Sequence, residues 1–520
     1  MNQITGVGSL CRNKTNHVGS TLPDKDSRPL LGCLTRRRSA CLVAVVALLA
    51  IVGDVAPARA DVLFYTLPGK SGLTVTLQGA TGVNPGGTVT YTHPKFGKIH
   101  FDRESIDIHK VPTVQSQFTK QLNKAGNSAD QCMAAAQFAL RHGLLMQFHM
   151  AVDKALAADP KHVRALLVKN LQIKMNAELG DSSAEIADMR KLLGRSDMKV
   201  LQSKHFILMH DTPDKIIRSN KTRADERLQL LETVYECFLL RFYAYGVALE
   251  IPQRRLKVVL FNDYQQYLAF AKQLSPSLAS ASGFWSTDNN TAIFYDHGTN
   301  DEFKELAAIA KLLQQRKAEA IRERDERTAD TVRLADTLSL LVEIERENSD
   351  IEVVSHEITH QMAGNTGLLP RHVQVPAWVH EGLATYFETP NGASWGGVGA
   401  VNQSRLDWYR MLAPDRVHSS LDFIVGDQIF DFAGNHVSKV AGYGQAWALT
   451  HFLMEKHFDR FLTFYRRLGE MPPDLVLSAD AVNALFDECF KGIPRRTLDA
   501  EWRTYMAGLR TDIELILAAQ

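Results

Sequence analysis

The sequence of 520 residues predicts an α+β chain. Three observations carry that reading. Residues 61–112 are short runs of β-branched and aromatic side chains cut by Gly, Pro and Asn. Residues 114–180 change to apolar residues at helical spacing. From about residue 199, strand-like runs come first and long helical periods follow to the C-terminus, a segregated order that fits α+β.

Residues 1–60 read as a targeting leader. Arg36, Arg37 and Arg38 precede an apolar run over 40–52, and Ala58-Arg59-Ala60 forms a small-x-small cleavage signal before Asp61. The run is shorter than the roughly 20 apolar residues that span a bilayer. A signal peptide cleaved after Ala60 is the favoured reading, which makes the protein secreted or periplasmic with no stable membrane span. An uncleaved leader would leave it membrane-anchored. The stretch ahead of Arg36 is long for a signal peptide and points to a start codon further downstream.

Eight of the 59 basic and three of the 58 acidic residues fall in this leader, so the chain from Asp61 carries a net charge of −4. That balance lacks the basic footprint of a nucleic-acid binder. Cys132, Cys237 and Cys489 remain after the leader, too few and too far apart for a disulfide scaffold. Three buried thiols is the plainer expectation, and one bridge with one free thiol the alternative.

Residues 61–112 form a small β module, a sheet or barrel-like unit, through the runs VLFYTL, LTVTLQ, GTVTYTH and GKIHFD; none carries chemistry. Residues 113–198 contain AVDKALAADPKHVRALLVKN, which resembles a tetratricopeptide-like helical hairpin with its turn at Ala158-Asp159-Pro160. Stacked repeats need about three units to stand alone. One to one and a half are found here, so this segment is expected to pack on a neighbour, as a structural linker in preference to a surface for a protein partner.

The third domain is expected over 199–520. SKHFILMH and RLKVVLFN read as strands on either side of a helix over 223–245, and GFWS with TAIFY reads as a hairpin over 282–295. Residues 301–349 are highly charged with one apolar stripe, which predicts a helical insertion whose outer face is solvated, in preference to a lid. Helices are expected again at VNQSRLDWYRML, around Tyr443 and through 451–520, with a loop over 413–432.

The chemistry concentrates at His356-Glu357-Ile358-Thr359-His360, inside the helical pattern IEVVSHEITHQM. Residues four apart share a helix face, so His356 and His360 can reach one metal ion while Glu357 touches a water beside it. A second stretch, PAWVHEGLATYFE, places Glu381 21 positions beyond His360. A catalytic zinc takes three protein ligands and keeps one position open, and a carboxylate on a following helix completes that set. One Zn²⁺ per chain is therefore expected on His356, His360 and Glu381, with Gly382 and Ala384 letting the two helices pack closely. Thr385 and Glu388, further round that helix, are the candidates to support the histidines.

HEITH followed by WVHEGLATYFE resembles the gluzincin branch of zinc peptidases, which includes thermolysin-like and aminopeptidase-like enzymes. The form W-x-x-E-G-L-A-T-Y-F-E is closer to an uncharacterised bacterial group of peptidase-MA-like proteins known as a domain of unknown function. The resemblance covers about 199–506. It implies a zincin catalytic domain with a mixed sheet and a helical C-terminal subdomain, peptide or protein substrates, and Glu357 as general base. It also implies that an arm of the 282–295 hairpin pairs with extended substrate. Tyr443, 62 positions beyond Glu381, falls where a related tyrosine stabilises the oxyanion. The exopeptidase motif of the aminopeptidases is missing from the sequence, which leaves endopeptidase activity open. Two alternatives stand beside this reading: a zinc-binding scaffold without catalysis, and an amide hydrolase acting on cell-wall peptides.

Overall fold

The computed structural model describes residues 59–66, 74–217, 220–324 and 328–518. Residues 1–58 of the expected leader lie outside this range. Arg59 and Ala60 open the first strand, so cleavage after Ala60 would trim its two leading residues. Among the described residues no helix is long and apolar enough to cross a membrane.

Five strands, β1 (Arg59–Thr66), β2 (Thr74–Val83), β3 (Thr88–His93), β4 (Gly97–Asp102) and β5 (Ile106–Pro112), form an antiparallel sheet in the order β4-β3-β2-β1-β5. It is an open sheet, not a barrel. Alternation drives it: every second residue of β3 is buried, and Leu77, Val89, Tyr91, Ile99 and Phe101 make its apolar face. β5 was not among the runs read from the sequence. It pairs with β1, Leu63 opposite Ile108.

Next come α1 (Val114–Ala125), α2 (Ala129–Arg141), α3 (Leu145–Ala158), α4 (Val163–Met175) and α5 (Ser183–Leu193). Ala136, Ala139, Ala151 and Ala155 are fully buried, small enough to let α2 and α3 pack closely, and the Asp159-Pro160 turn separates α3 from α4 as expected. As one apolar body, α1 to α4 continue into the core of the C-terminal half, while Met189 and Leu193 of α5 pack in a separate cluster on the second sheet. α2 and α4 pack on α6 (Arg223–Tyr243). The expected boundary near 198 is therefore no break in the core.

A second sheet has the order β6-β7-β8-β10-β9, from β6 (Lys199–Gln202), β7 (Phe206–His210), β8 (Leu256–Phe261), β9 (Gly283–Ser286) and β10 (Thr291–Tyr295). β7, β8 and β10 run parallel, and the outer strands β6 and β9 run antiparallel to their neighbours. β7 is buried at every position, as a parallel strand covered on both faces must be. α7 (Tyr264–Leu274) follows β8.

α8 (Asp301–Glu323) and α9 (Thr328–Asn365) make the charged hairpin. The structure corrects the expectation of an insertion ending at 349, because its second arm and the HEITH helix are one helix of 38 residues. No Gly or Pro occurs in it before Gly364 in the last turn, and Glu347 and Asp350, just before Ile351, are held in buried ion pairs with α6. Nor is its first half a solvated face. Leu340 is buried and Leu334, Leu338, Leu341 and Ile344 pack with it against the apolar face of the first sheet. α8 is the exposed arm, with Ile309, Leu312 and Ile321 open to solvent.

The chain then folds into α10 (Ala377–Phe387), a tight hairpin of β11 (Pro390–Asn391) and β12 (Ser394–Trp395), and α11 (Gln403–Leu412). Two short helices, α12 (Leu421–Val425) and α13 (Ile429–His436), occupy the region expected as a loop. The helical subdomain is completed by α14 (Lys439–Lys456), α15 (Phe458–Gly469), α16 (Ala479–Cys489), α17 (Arg495–Gly508) and α18 (Asp512–Ala518). α14 is buried on nearly all sides. Gly382 lets α10 lie against it: a Cβ there would run into Thr450 and come within 2.8 Å of the Ala446 carbonyl. Gly382 thus serves the packing of α10 on α14. Among the described residues Cys132, Cys237 and Cys489 are free thiols; Cys132 and Cys237 are buried and Cys489 is half-buried.

A buried charge cluster ties α6 to α9. Arg227 pairs with Glu347 at 2.8 Å and also with Asp350, Arg223 meets Glu347 at 2.9 Å, and His297 Nδ1 lies 2.9 Å from Asp350. Burial pushes the Asp350 carboxyl up, but Arg227 and His297 outweigh it and hold it well below the usual range. Removing one partner of such a group leaves a buried charge uncompensated. Asp350→Asn is expected to cost about 3–5 kcal/mol in urea unfolding near neutral pH. Because the native value is depressed, this stabilisation is present above the unfolded value of about 3.9 and fades as pH falls below it. Wild type should therefore lose more stability between about pH 5 and pH 2 than the variant does.

Candidate metal centre and its cavity

The C-terminal half of α9 is buried almost continuously from Ile351 to Ala363, so both imidazoles face protein rather than water. Their Nε2 atoms are 3.2 Å apart, with ring planes at 83°. α10 brings Glu381 Oε2 to 3.1 Å from His356 Nε2 and 3.8 Å from His360 Nε2. Among the described residues, these three converge with their ligand atoms all within 4.8 Å of one another. A tetrahedron with metal–ligand bonds of about 2.0–2.1 Å has edges of about 3.3 Å, so the spacing fits a zinc ion. The donor set, two neutral-capable imidazoles and one carboxylate, fits it chemically.

The histidine ligands are oriented from behind. His356 Nδ1 lies 2.8 Å from Glu388 Oε2, and a carboxylate there accepts a hydrogen bond from Nδ1–H and leaves the Nε2 lone pair facing the site. Glu388 is fixed in turn by Arg405, whose Nε and Nη2 donate to its Oε1 at 2.8 and 2.6 Å. Asn402 holds its main-chain carbonyl at 2.9 Å. Thr385, the other candidate, has no such role; its hydroxyl donates to the carbonyls of Glu381 and Gly382 in its own helix. His380 Nδ1 lies 3.3 Å from Glu381 Oε1, so the second carboxylate oxygen has a neighbour of its own. Asp427 accepts from the amides of Ala377 and Trp378, which anchors the first turn of α10.

Charge distribution follows from burial and these bonds. Burial disfavours charge on Glu381, yet the His356 and His360 hydrogen bonds outweigh it and keep this carboxyl well below its ordinary range. Burial pulls His356 down, but hydrogen bonds to Glu381 and Glu388 hold it well above an ordinary histidine. His360, dominated by burial, lies below. Glu357 is 3 % exposed and its Oε2 has no hydrogen-bond partner. Burial pushes its carboxyl up to about 7, against the pull of His356 and the Trp285 main-chain amide. A buried carboxylate oxygen without a protein partner beside three converging donors is what a site for a metal and a water presents.

Glu357 opens into a cavity of about 250 Å³, lined also by Gly283, Val353, His356, Arg405 and Tyr443. β9, the outer strand of the second sheet, forms one side. A Cβ at Gly283 would lie 2.6 Å from Val353 Cγ1 and 3.3 Å from Glu357 Cγ, so the β9 main chain rests directly on α9. Tyr443, from α14, lies across the cavity with its ring 6.2 Å from that of His356. Burial, then the charges of Glu381 and Glu357, push its pKa up, so it stays a proton donor at ordinary pH. The structure thus brings His356, Glu357, His360, Glu381 and Tyr443 to one place. It adds Glu388 in the supporting role expected for it, together with Arg405, Asn402 and His380, which sequence reasoning did not single out.

Residues 350–474 match a protein family of unknown function, DUF1570. The matched segment contains every residue just described except β9. No curated protein and no solved structure matches the chain.

Removing the charge behind His356 should be felt at the metal. Glu388→Gln is expected to weaken zinc binding about 10- to 100-fold in competition with a chromogenic chelator. Unchanged affinity in a variant that melts like wild type would show that Glu388 does not orient the ligand.

Proposed function

We propose that the protein is an exported zinc-dependent metallopeptidase that hydrolyses bonds within peptide or protein chains. The observation that carries this reading is the convergence of His356, His360 and Glu381 beside Glu357, whose Oε2 has no hydrogen-bond partner, at the wall of a cavity. His356, His360 and Glu381 are the residues that would hold zinc. Zinc bound there supplies Lewis acidity, polarising a carbonyl and making water nucleophilic near neutral pH.

The chain's own residues do the rest. Glu357 takes the proton of the attacking water and returns it to the leaving amine, a shuttle suited to a buried carboxylate with one oxygen free of hydrogen bonds. Tyr443, kept protonated, donates to the oxygen on which negative charge develops. Glu388 and Arg405 keep His356 in the tautomer a metal needs. β9 offers its main chain to an extended substrate, which favours peptides over compact ligands. The leader over 1–60 would place this activity outside the cytosol.

On an unstructured protein substrate, Glu357→Gln is expected to lower kcat about 10²- to 10⁴-fold, the usual worth of a positioned acid–base group. Tyr443→Phe should lower kcat about 10²- to 10³-fold, the worth of one oxyanion donor, with KM little changed. Full activity in the Glu357 variant would refute hydrolysis by this site. Full activity in the Tyr443 variant would reduce that residue to a wall.

A further inference from the structure

The cavity beside Glu357 contains a second carboxylate that the proposed chemistry does not use. Glu352 stands four residues before His356 on α9, on the same face and about 6 Å further along the helix. Its Oε1 accepts from Arg405 Nη2 at 2.7 Å. That guanidinium already gives two hydrogen bonds to Glu388, so one cation is shared between two carboxylates. Over a third of the Glu352 side chain is exposed, while Glu388 is buried. Lys439 also lines the cavity, its stem lying along Gly434. The lining holds the carboxyl groups of Glu352, Glu357 and Glu388 together with the basic groups of Arg405, Lys439 and His356.

At about 250 Å³ the space falls below the roughly 300–1,000 Å³ of pockets that enclose whole small-molecule ligands. It suits a single side chain. Gly283 and Val353 on one side and Val440 and Tyr443 on the other give it apolar walls for an aliphatic stem. A long stem with a cationic head, between such walls and ending at a carboxylate that shares its guanidinium with Glu388, is complementary in both parts.

We propose that this cavity is a specificity pocket for a lysine or arginine side chain next to the scissile bond, read by Glu352. The inference rests on the hydrolase reading of the adjacent site. A substrate's free N-terminal amine has the same cationic chemistry, but it lies close to the carbonyl of its own residue. Glu352, a full helical turn from His356, is at the reach of a long side chain instead.

The test is digestion of an unstructured protein by the zinc-loaded full chain, with cleavage sites mapped by mass spectrometry. It is followed by kcat/KM on N-acetylated and free peptides carrying Lys, Arg, Met or Glu at the mapped position. Cleavage beside Lys and Arg, equally in acetylated peptides, is expected. Glu352→Gln, which keeps an acceptor for Arg405, should lower the Lys-to-Met ratio of kcat/KM about ten- to a hundredfold. Cleavage without basic preference, or an unchanged ratio in the variant, overturns the specificity pocket and leaves the hydrolase standing. A requirement for the free amine overturns it in favour of terminus recognition. No cleavage of any substrate by zinc-loaded protein overturns the hydrolase reading, and this inference with it.

Discussion

Two imidazoles and two carboxylates cannot sit in a protein interior a few ångströms apart unless each is compensated. That constraint shapes the region around His356, His360, Glu381 and Glu388. Desolvation alone would neutralise the carboxyls and deprotonate the histidines. Instead Glu381 stays ionised because both imidazoles face it, and Arg405 supplies the charge that makes Glu388 tolerable behind His356. Glu357 is the exception. Its Oε2 has no partner, and a buried polar atom left so is costly unless the site uses it.

The scaffold meets the constraint with one long helix. α9 covers the first sheet with its N-terminal half, is locked to α6 by Arg223, Arg227, Glu347 and Asp350, and delivers HEITH at its other end. Because these contacts lie on a single rigid element, the β module, the helical segment and the metal site form one connected body. Gly382 on α10 then sets how closely Glu381's helix can approach α14, and α14 carries Tyr443 across the cavity from the histidines. Small residues at one helix contact thereby decide the position of a side chain on another.

What could be read in the sequence was what depends on local periodicity. The i, i+4 histidines, the carboxylate on the next helix and the GFWS/TAIFY hairpin follow from spacing alone, and the structure brings them together. Glu388 was legible because it lies on the same helical run as Glu381. Thr385 looked equivalent by spacing, but its hydroxyl bonds its own helix, a competition that spacing does not reveal. Arg405 and Glu352 meet across helices 53 residues apart in sequence, and nothing in their neighbours marks them, whereas His380 sits inside the motif beside Glu381 and was passed over. The length of α9 was hidden for a similar reason. Its charged stretch reads as a solvated insertion until Arg223 and Arg227, over a hundred residues earlier, are seen to pair with it. β5 escaped because IDIHKVP alternates weakly, and its place comes from pairing with β1.

The central claim is that His356, His360 and Glu381 form a three-residue zinc site. It is tested most directly by the zinc content of purified wild-type protein and of Glu381→Ala, measured side by side with their melting temperatures. The account predicts about one zinc per wild-type chain and clearly less in the variant, since a metal held by three ligands loses affinity when one is removed. Wild type that takes up no zinc after reconstitution, or a folded variant that holds as much as wild type, would contradict it.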